Sequence, residues 1–310
     1  MSRLSSRAVG AVCAFAAYLL WGLFPLYFLA LEPSGPWEIV SWRVVLTLVV
    51  CLVLLTLVRG WAALARVARR PRLLVLTALA GTLVFVNWGV YLLAVLTGHV
   101  VEASLGYFIN PIVTVLLAVL VLRERLRLAQ WIAVGVALVA VLVIVVGYGE
   151  FPWFSFVLAI TFGFYGLVKS HIGPSVDAVS GLALETAWLT PVAIGVLLWV
   201  GATSGLTMGE LGPGHAVLLS LAGVVTAAPL LLFAAAARRT PLSIIGLLQF
   251  LTPIMQFLIG VWLLHEAMPV ERWIGFALVW VSLVVLTVDQ FVVARRARTP
   301  RGVADVTEPI

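Results

Sequence analysis

The sequence predicts an all-α integral membrane protein, with ten transmembrane helices arranged as two inverted five-helix repeats. Three observations carry this expectation. Of 310 residues, 63% are hydrophobic and only 10% charged, whereas a soluble globular domain is roughly 45–50% apolar; apolar runs of about 20 residues recur along the whole length. Phe108, Pro111, Leu122, Glu124, Trp131 and Ile132 are each matched by the same residue type 142 positions later, at Phe250, Pro253, Leu264, Glu266, Trp273 and Ile274, the mark of an internal duplication. Ten spans give five per half, so the second half starts on the opposite face of the membrane from the first, and repeats of that kind place a binding site at their interface near the midplane.

The expected spans follow from where apolar runs meet polar or turn-forming residues. They are 8–31, 38–58, 73–96, 100–122 and 130–148 in the first half, and 153–169, 178–200, 215–237, 242–264 and 273–293 in the second. The first is preceded by Arg3 and Arg7 but is too long for a signal-peptide core and runs on into Trp21-Gly22-Leu23-Phe24-Pro25, so it reads as an uncleaved span. The fourth and ninth carry Pro111 and Pro253. A proline has no N–H and disturbs the carbonyl one turn earlier, so these two helices are expected to be broken at the middle of the membrane. The domain limits are 1–149 and 150–294 for the two repeats, with 295–310 a basic tail without regular structure. The polar pieces 59–72 and 201–214 and the tail leave no room for a nucleotide-binding or catalytic domain.

Charge fixes an expected orientation. With the N-terminus inside, the inner segments hold Arg3, Arg7, Arg59, Arg66, Arg69, Arg70, Arg72, Arg123, Arg125, Arg127, Lys169, Arg238, Arg239, Arg295, Arg296, Arg298 and Arg301, which is 17 of the 19 basic residues. Arg272 falls outside and Arg43 within a span. This is a positive-inside pattern with both termini cytoplasmic. The net charge of +6 is thus spread between spans instead of gathered on one surface, which excludes nucleic acid as the partner. Cys13 and Cys51 lie in apolar spans without metal spacing and read as small buried hydrophobes, and the four histidines form no HxxxH pair. No cofactor is implied. Trp37, Trp61, Trp131, Trp153 and Trp273 stand at span ends, where the indole ring anchors a helix in the headgroup region.

Polar residues inside the spans mark candidate substrate-binding or gating positions. A charge at the bilayer centre costs about 2.5–3.5 kcal/mol on insertion scales, so a tolerated one faces a partner or a cavity. Arg43 and Glu102 enter their spans from the same side and form the expected ion pair, with Glu38 competing for Arg43; such a pair either orients two helices or serves as an anion-binding or outer-gate element. Glu102, Gly106 and Asn110 repeat at steps of four, ahead of Pro111, and share one helical face. Gln249, Pro253, Gln256 and Gly260 form a seam at three- and four-residue steps, and Asn87 and Tyr91 do the same beside Trp88. These amides either bond between helices or line a cavity. Glu185 is the repeat counterpart of Arg43 with its charge reversed. It is a candidate proton-coupling residue, or else a partner for Lys169 or a helix end. Glu124 and Glu266 end the two repeat helices and are expected to fix the turns that follow.

The blocks G-L-F-P-L-Y at 22–27, E-I-V-S-W-R at 38–43, N-W-G-V-Y at 87–91, G-H-V-V-E-A-S-L-G-Y-F-I-N-P at 98–111 and P-L-L-L-F-A-A-A-A-R-R-T-P-L-S at 229–243 resemble the RarD proteins, a branch of the EamA transporters in the drug/metabolite transporter superfamily. The resemblance covers nearly the whole chain. It implies a duplicated ten-helix carrier of a bacterial inner membrane, whose relatives export amino acids and other metabolites and some of which are described as chloramphenicol-sensitive. The usual block has His before the arginine where this chain has Trp42, so a role for that imidazole is absent here. The expected partners are a small-molecule substrate, the lipid bilayer and protons as a coupling ion. An enzyme is disfavoured because no HExxH, no G-x-S-x-G and no paired aspartates within a span occur. The alternative to a secondary active exporter is a non-transporting structural or sensory subunit, which has no need of two prolines in matching spans.

Overall fold

The computed structural model describes residues 6–123, 126–148, 151–173, 175–237, 239 and 242–298. Its elements in chain order are α1 (Ser6–Gly22), α2 (Phe24–Leu29), α3 (Pro36–Leu57), α4 (Trp61–Ala68), α5 (Pro71–Leu96), α6 (Val100–Leu122), α7 (Leu128–Tyr148), α8 (Trp153–Ile172), α9 (Ala178–Thr203), α10 (Pro213–Ser220), α11 (Ala222–Ala237), α12 (Leu242–Leu248), α13 (Leu251–Leu258), which runs into a π turn at Ile259–Leu263, and α14 (Val270–Arg298). Among the described residues eight helical stretches are long and apolar enough to cross a membrane, and Ala8–Gly22 and Leu251–Leu263 are shorter apolar helices.

Local chemistry sets the boundaries. Pro36, Pro71 and Pro213 open α3, α5 and α10, where the missing N–H has no partner to lose and φ is already helical. Asp177 caps α9 by accepting the Ser180 N–H at 3.0 Å. At the end of α5, Gly98 takes φ +73° and the His99 N–H closes back on the Ala94 carbonyl, a left-handed stop.

Several sequence expectations change. The first span divides at Leu23, because Pro25 stands in the first turn of α2. The eighth divides between α10 and α11, and the ninth before Phe250, so Pro253 falls in the first turn of α13 instead of at a mid-helix break. Pro111 does not break α6, which is continuous around it; packed neighbouring helices let a membrane helix accommodate a proline. The polar piece 59–72 contains the short amphipathic helix α4, and α14 extends to Arg298, into the expected tail. Cys51 is buried but Cys13 only half-buried. The five span-end tryptophans are all exposed, between 43% and 55%.

Among the described residues the two largest apolar cores hold most of the bundle. One joins α2, α3, α5, α8 and α9 around Phe28, Ile39, Leu92, Leu158 and Leu189; the other joins α6, α7, α13 and α14 around Phe108, Ile144, Phe257 and Phe276. The principal helix pairs are α7 with α14, α3 with α9, α6 with α8, α1 with α11, α5 with α8, α3 with α11 and α5 with α9. Exchange each helix for its partner 142 residues away and every one of these pairs becomes a pair that is also in contact: α3 with α9 and α7 with α14 are unchanged, α1 with α11 becomes α8 with α5, α3 with α11 becomes α9 with α5, and α6 with α8 becomes α13 with α1, a smaller contact. Glycines make two of these crossings close. A Cβ on Gly81 of α5 would stand 2.9 Å from the Glu185 carbonyl of α9, and one on Gly223 of α11 would collide with the backbone of Leu46 in α3. Gly81 and Gly223 are themselves 142 residues apart, as are Arg123 and His265, which both adopt φ near +55° at the ends of the repeat helices.

Candidate functional site

Sequence-distant contacts gather the helix termini at two ends of the bundle. At one end three buried or half-buried carboxylates each reach from one half of the chain to backbone N–H groups of the other. Glu38 accepts from Thr207 N (2.9 Å), Thr207 Oγ1 (3.1 Å) and Met208 N (3.2 Å). Glu102 accepts from Phe154 N at 2.8 Å in the first turn of α8, and Glu266 accepts from Val100 N (2.6 Å) and Val101 N (2.9 Å) at the start of α6. The first N–H groups of a helix have no partner within it and present positive charge, so an acidic side chain is the natural cap. Ser34, Thr207 and His215 extend this capped end, with Ser34 Oγ 2.6 Å from Thr207 Oγ1 and 3.0 Å from His215 Nε2.

These bonds overturn the expected ion pair. Arg43 pairs with neither Glu102 nor Glu38, because both carboxylates are committed to backbone donors. Glu266 does not fix its own turn but caps α6; its counterpart Glu124 lies outside the described residues. Glu266 stands outside the spans, and burial raises its carboxyl above the usual range, against the opposing pull of the Val101 and Val100 N–H groups, His99 and Arg272. The folded chain therefore holds this proton more tightly than an unfolded chain, in which a Glu titrates near about 4.3. That contribution to stability is fully present below the unfolded value and is lost as pH rises through the raised one. Glu266→Gln, which cannot titrate, is expected to flatten this part of a stability–pH profile taken by thermal unfolding in detergent. Parallel profiles for the two proteins would assign the slope to another group.

Arg43 sits seven residues into α3 and is 3% exposed, about 10 Å below the helix start at 1.5 Å per residue. Its Nε donates to Thr226 Oγ1 at 2.8 Å. The guanidinium carbon lies 4.0 Å from the ring centre of Trp88, 5.3 Å from Phe24 and 5.4 Å from Phe28, a cation–π cage worth about 0.5–2 kcal/mol per desolvated contact. Tyr91 packs its ring on Phe28 at 6.2 Å and on Tyr107 at 5.8 Å. Asn87 ties this group to α8: its Nδ2 donates to the Leu158 carbonyl (3.1 Å) and Thr161 Oγ1 (3.0 Å), and its Oδ1 accepts from the Tyr107 hydroxyl at 3.4 Å. Arg43, Asn87 and Tyr91, expected separately, thus form one cluster with Trp88.

The remaining candidates divide. Glu102, Gly106 and Asn110 do share a face, and it meets α8: a Cβ on Gly106 would lie 2.8 Å from the Ser155 carbonyl, so Gly106 serves close packing. Asn110 is near Gly163 of α8, and its buried Oδ1 has no partner among the described residues. Glu102 also lines a narrow cavity of about 20 Å³ with Phe151, Pro152 and Arg272, room for about one water. The seam on the ninth span does not hold together. Gln249 is exposed in the break before α13, while Pro253 and Gln256 are buried and the Gln256 Nε2 donates to the Trp21 carbonyl at 3.2 Å. Glu185 is fully buried, with Oε1 2.7 Å from Lys169 Nζ and Oε2 accepting from Tyr165 at 3.2 Å.

Sequence reading missed Phe24, Phe28, Tyr107 and Thr226. Phe24 and Phe28 are one helical turn apart and could have been read as a face, but nothing local ties Thr226 to Arg43. At the arginine-rich end Arg127 bonds Asp289 through two nitrogens, joining α7 to α14, and a cavity of about 600 Å³ opens among Arg66, Arg70, Leu73, Ser175 and Asp177. None of the expected site residues lines it. Among the described residues no group of three or more His, Cys, Asp or Glu gathers to hold a metal ion.

The EamA-like transporter family matches residues 8–146. A protein of Streptomyces exfoliatus described as RarD is 50% identical over 298 residues, spanning 96% of this chain and 94% of that protein. The chain belongs to the RarD branch of the EamA transporters. A Vibrio cholerae relative described as an uncharacterized transporter is 40% identical over 94% of this chain and 96% of its own. A crystal structure at 19% identity superposes with a TM-score of 0.57 over 94% of this chain and all of the other, a likeness of fold alone. RarD-branch membership and the apolar helices make this a multi-pass bacterial membrane protein and a transporter of the drug/metabolite type.

Proposed function

We propose that this chain is a secondary active transporter that exports a small metabolite or drug by alternating access, built from two inverted five-helix repeats with ten passes and both termini cytoplasmic. The observation that carries this reading is the exchange relation among the helix pairs: a bundle whose packing repeats when its halves are swapped can reach a second arrangement of similar energy by exchanging their roles. The capped end supports one half of that cycle. Glu38, Glu102 and Glu266 all tie one half to the other there, so opening this end breaks several charge-assisted bonds at once. The Arg43–Asn87–Tyr91 cluster lies between α3, α5 and α6, where a solute would be exposed alternately to each side. Chloramphenicol and amino acids are the first solutes to try.

The test is flux. Purified protein in proteoliposomes is expected to move at least one solute of such a panel faster than empty liposomes, and single cysteines at residues 5 and 305 are expected to label from the same face. Labelling from opposite faces would end the inverted-repeat reading, and absence of flux across the panel would favour the structural or sensory subunit.

A second reading concerns coupling. Glu185 is wholly buried while its partner Lys169 is 31% exposed, so the carboxyl can exchange a proton if the ammonium swings away. Under this reading Glu185→Gln keeps downhill flux but loses accumulation driven by a proton gradient.

A further inference from the structure

We propose that the Arg43 cage is the seat of an anionic substrate: a carboxylate on an apolar body, held end-on by the guanidinium of Arg43 and the hydroxyl of Tyr91. The inference rests on the carrier reading and names the substrate class for that site.

Two buried donors lack an acceptor among the described residues, Arg43 Nη1 and the Tyr91 hydroxyl. Both belong to the aromatic cluster described above, linked through Phe28. The cage explains why the cation is tolerated without explaining what completes it. Rings lie over the face of a guanidinium and attract its charge, but they accept little at its edge, where the N–H groups point. Thr226 takes the Nε side of that edge. The Nη1 side calls for an oxygen acceptor, and arginine cannot escape by losing its proton. A carboxylate answers both donors, because it only accepts and has two oxygens, one for Arg43 Nη1 and one for the Tyr91 hydroxyl.

The chain contains its own comparison. Glu185 occupies the counterpart position at the same depth in α9, and there the protein supplies both a cation and a hydroxyl donor, Lys169 and Tyr165. At Arg43 no carboxylate of the described residues does the equivalent, although Glu102, from the same side of the membrane, and Glu38, close along the chain, were both expected to; both bond backbone N–H groups instead. The rings of Phe24, Phe28, Trp88, Tyr91 and Tyr107 give the other end of the solute an apolar and aromatic surround, which selects against small, strongly hydrated inorganic anions.

The test is equilibrium binding to the purified full chain in detergent, followed by thermal shift and by radiolabelled probe. The probes are benzoate and 3-phenylpropionate, with benzamide, 3-phenylpropionamide and sulfate as controls. A hydrogen bond to a charged group is worth about 1.5–3 kcal/mol, so each carboxylate is expected to bind about tenfold or more tightly than its amide and than sulfate. Arg43→Gln is expected to abolish the preference, Arg43→Lys to keep it at reduced affinity, and Tyr91→Phe to weaken binding severalfold while leaving the fold intact. Equal binding of acid and amide, sulfate binding as tight as benzoate, a preference that survives Arg43→Gln, or no carboxylate binding by the folded wild type would each overturn the assignment. The carrier reading stands apart from this outcome. Flux of a neutral solute that persists in Arg43→Gln would leave the transporter and remove the anion; benzoate binding with no flux of any solute would do the reverse.

Discussion

Lys169→Met is expected to destabilise the protein by about 3 kcal/mol, the cost of stranding one member of a buried ion pair. The Glu185 side chain is completely buried and its shortest contact is the 2.7 Å bond to Lys169 Nζ. Without the ammonium, only the Tyr165 hydroxyl at 3.2 Å remains to meet the carboxylate. The figure is placed at the lower end of the usual range because Lys169 is 31% exposed, so water already screens part of the attraction. The same argument predicts that the double replacement Lys169→Met with Glu185→Leu costs much less than the single one, since it removes the stranded charge together with its partner. Unfolding of the three variants in mixed detergent reads the cycle. If the double variant were as unstable as Lys169→Met, the pair would owe its effect to packing and not to charge.

Gly223→Leu is expected to cost at least about 3 kcal/mol, beyond the usual range for overpacking. A side chain at 223 collides with the Leu46 carbonyl oxygen and carbon, and backbone cannot swing aside as a side chain can. Moving α11 off α3 also pulls Thr226 from Arg43, since both contacts lie on the same helix pair. Gly135→Leu supplies the control: Gly135 is exposed and a Cβ there meets nothing within 4 Å, so its effect is expected to stay within about 0.5 kcal/mol. Monodispersity on size-exclusion and melting temperature separate the two variants. Comparable behaviour would mean that α3 and α11 tolerate a wider crossing.

The site was only partly legible in the sequence, and the reason differs from residue to residue. That Arg43 needed a partner followed from its charge and depth alone. That the partners are Thr226 and three rings depended on α11, α5 and α2 arriving beside α3, and Thr226 stands 183 residues away. Glu102 was matched to Arg43 because both enter their spans from the same side, and Glu38 because it is close along the chain, yet the start of α8 and the turn at Thr207 and Met208 supply backbone donors in fixed positions, which compete more effectively than a side chain that must be brought to them. Gln249 was placed on a polar seam by helical spacing, but the helix is interrupted just there, and an interruption resets the phase on which the spacing argument relies.

Composition alone determined that this chain lives in a bilayer and is helical, because a backbone without water must satisfy its own hydrogen bonds and long apolar runs can do so as helices. The constant spacing of matched residues led to the expectation that its halves are related, since a duplicated element keeps its register, and the helix pairs in contact recur at the same offset. Which charges are satisfied, and by what, was decided only by the tertiary structure. Electrostatic partners are chosen by distance in space, at a few ångströms, and a chain of apolar spans says very little about which of its faces meet.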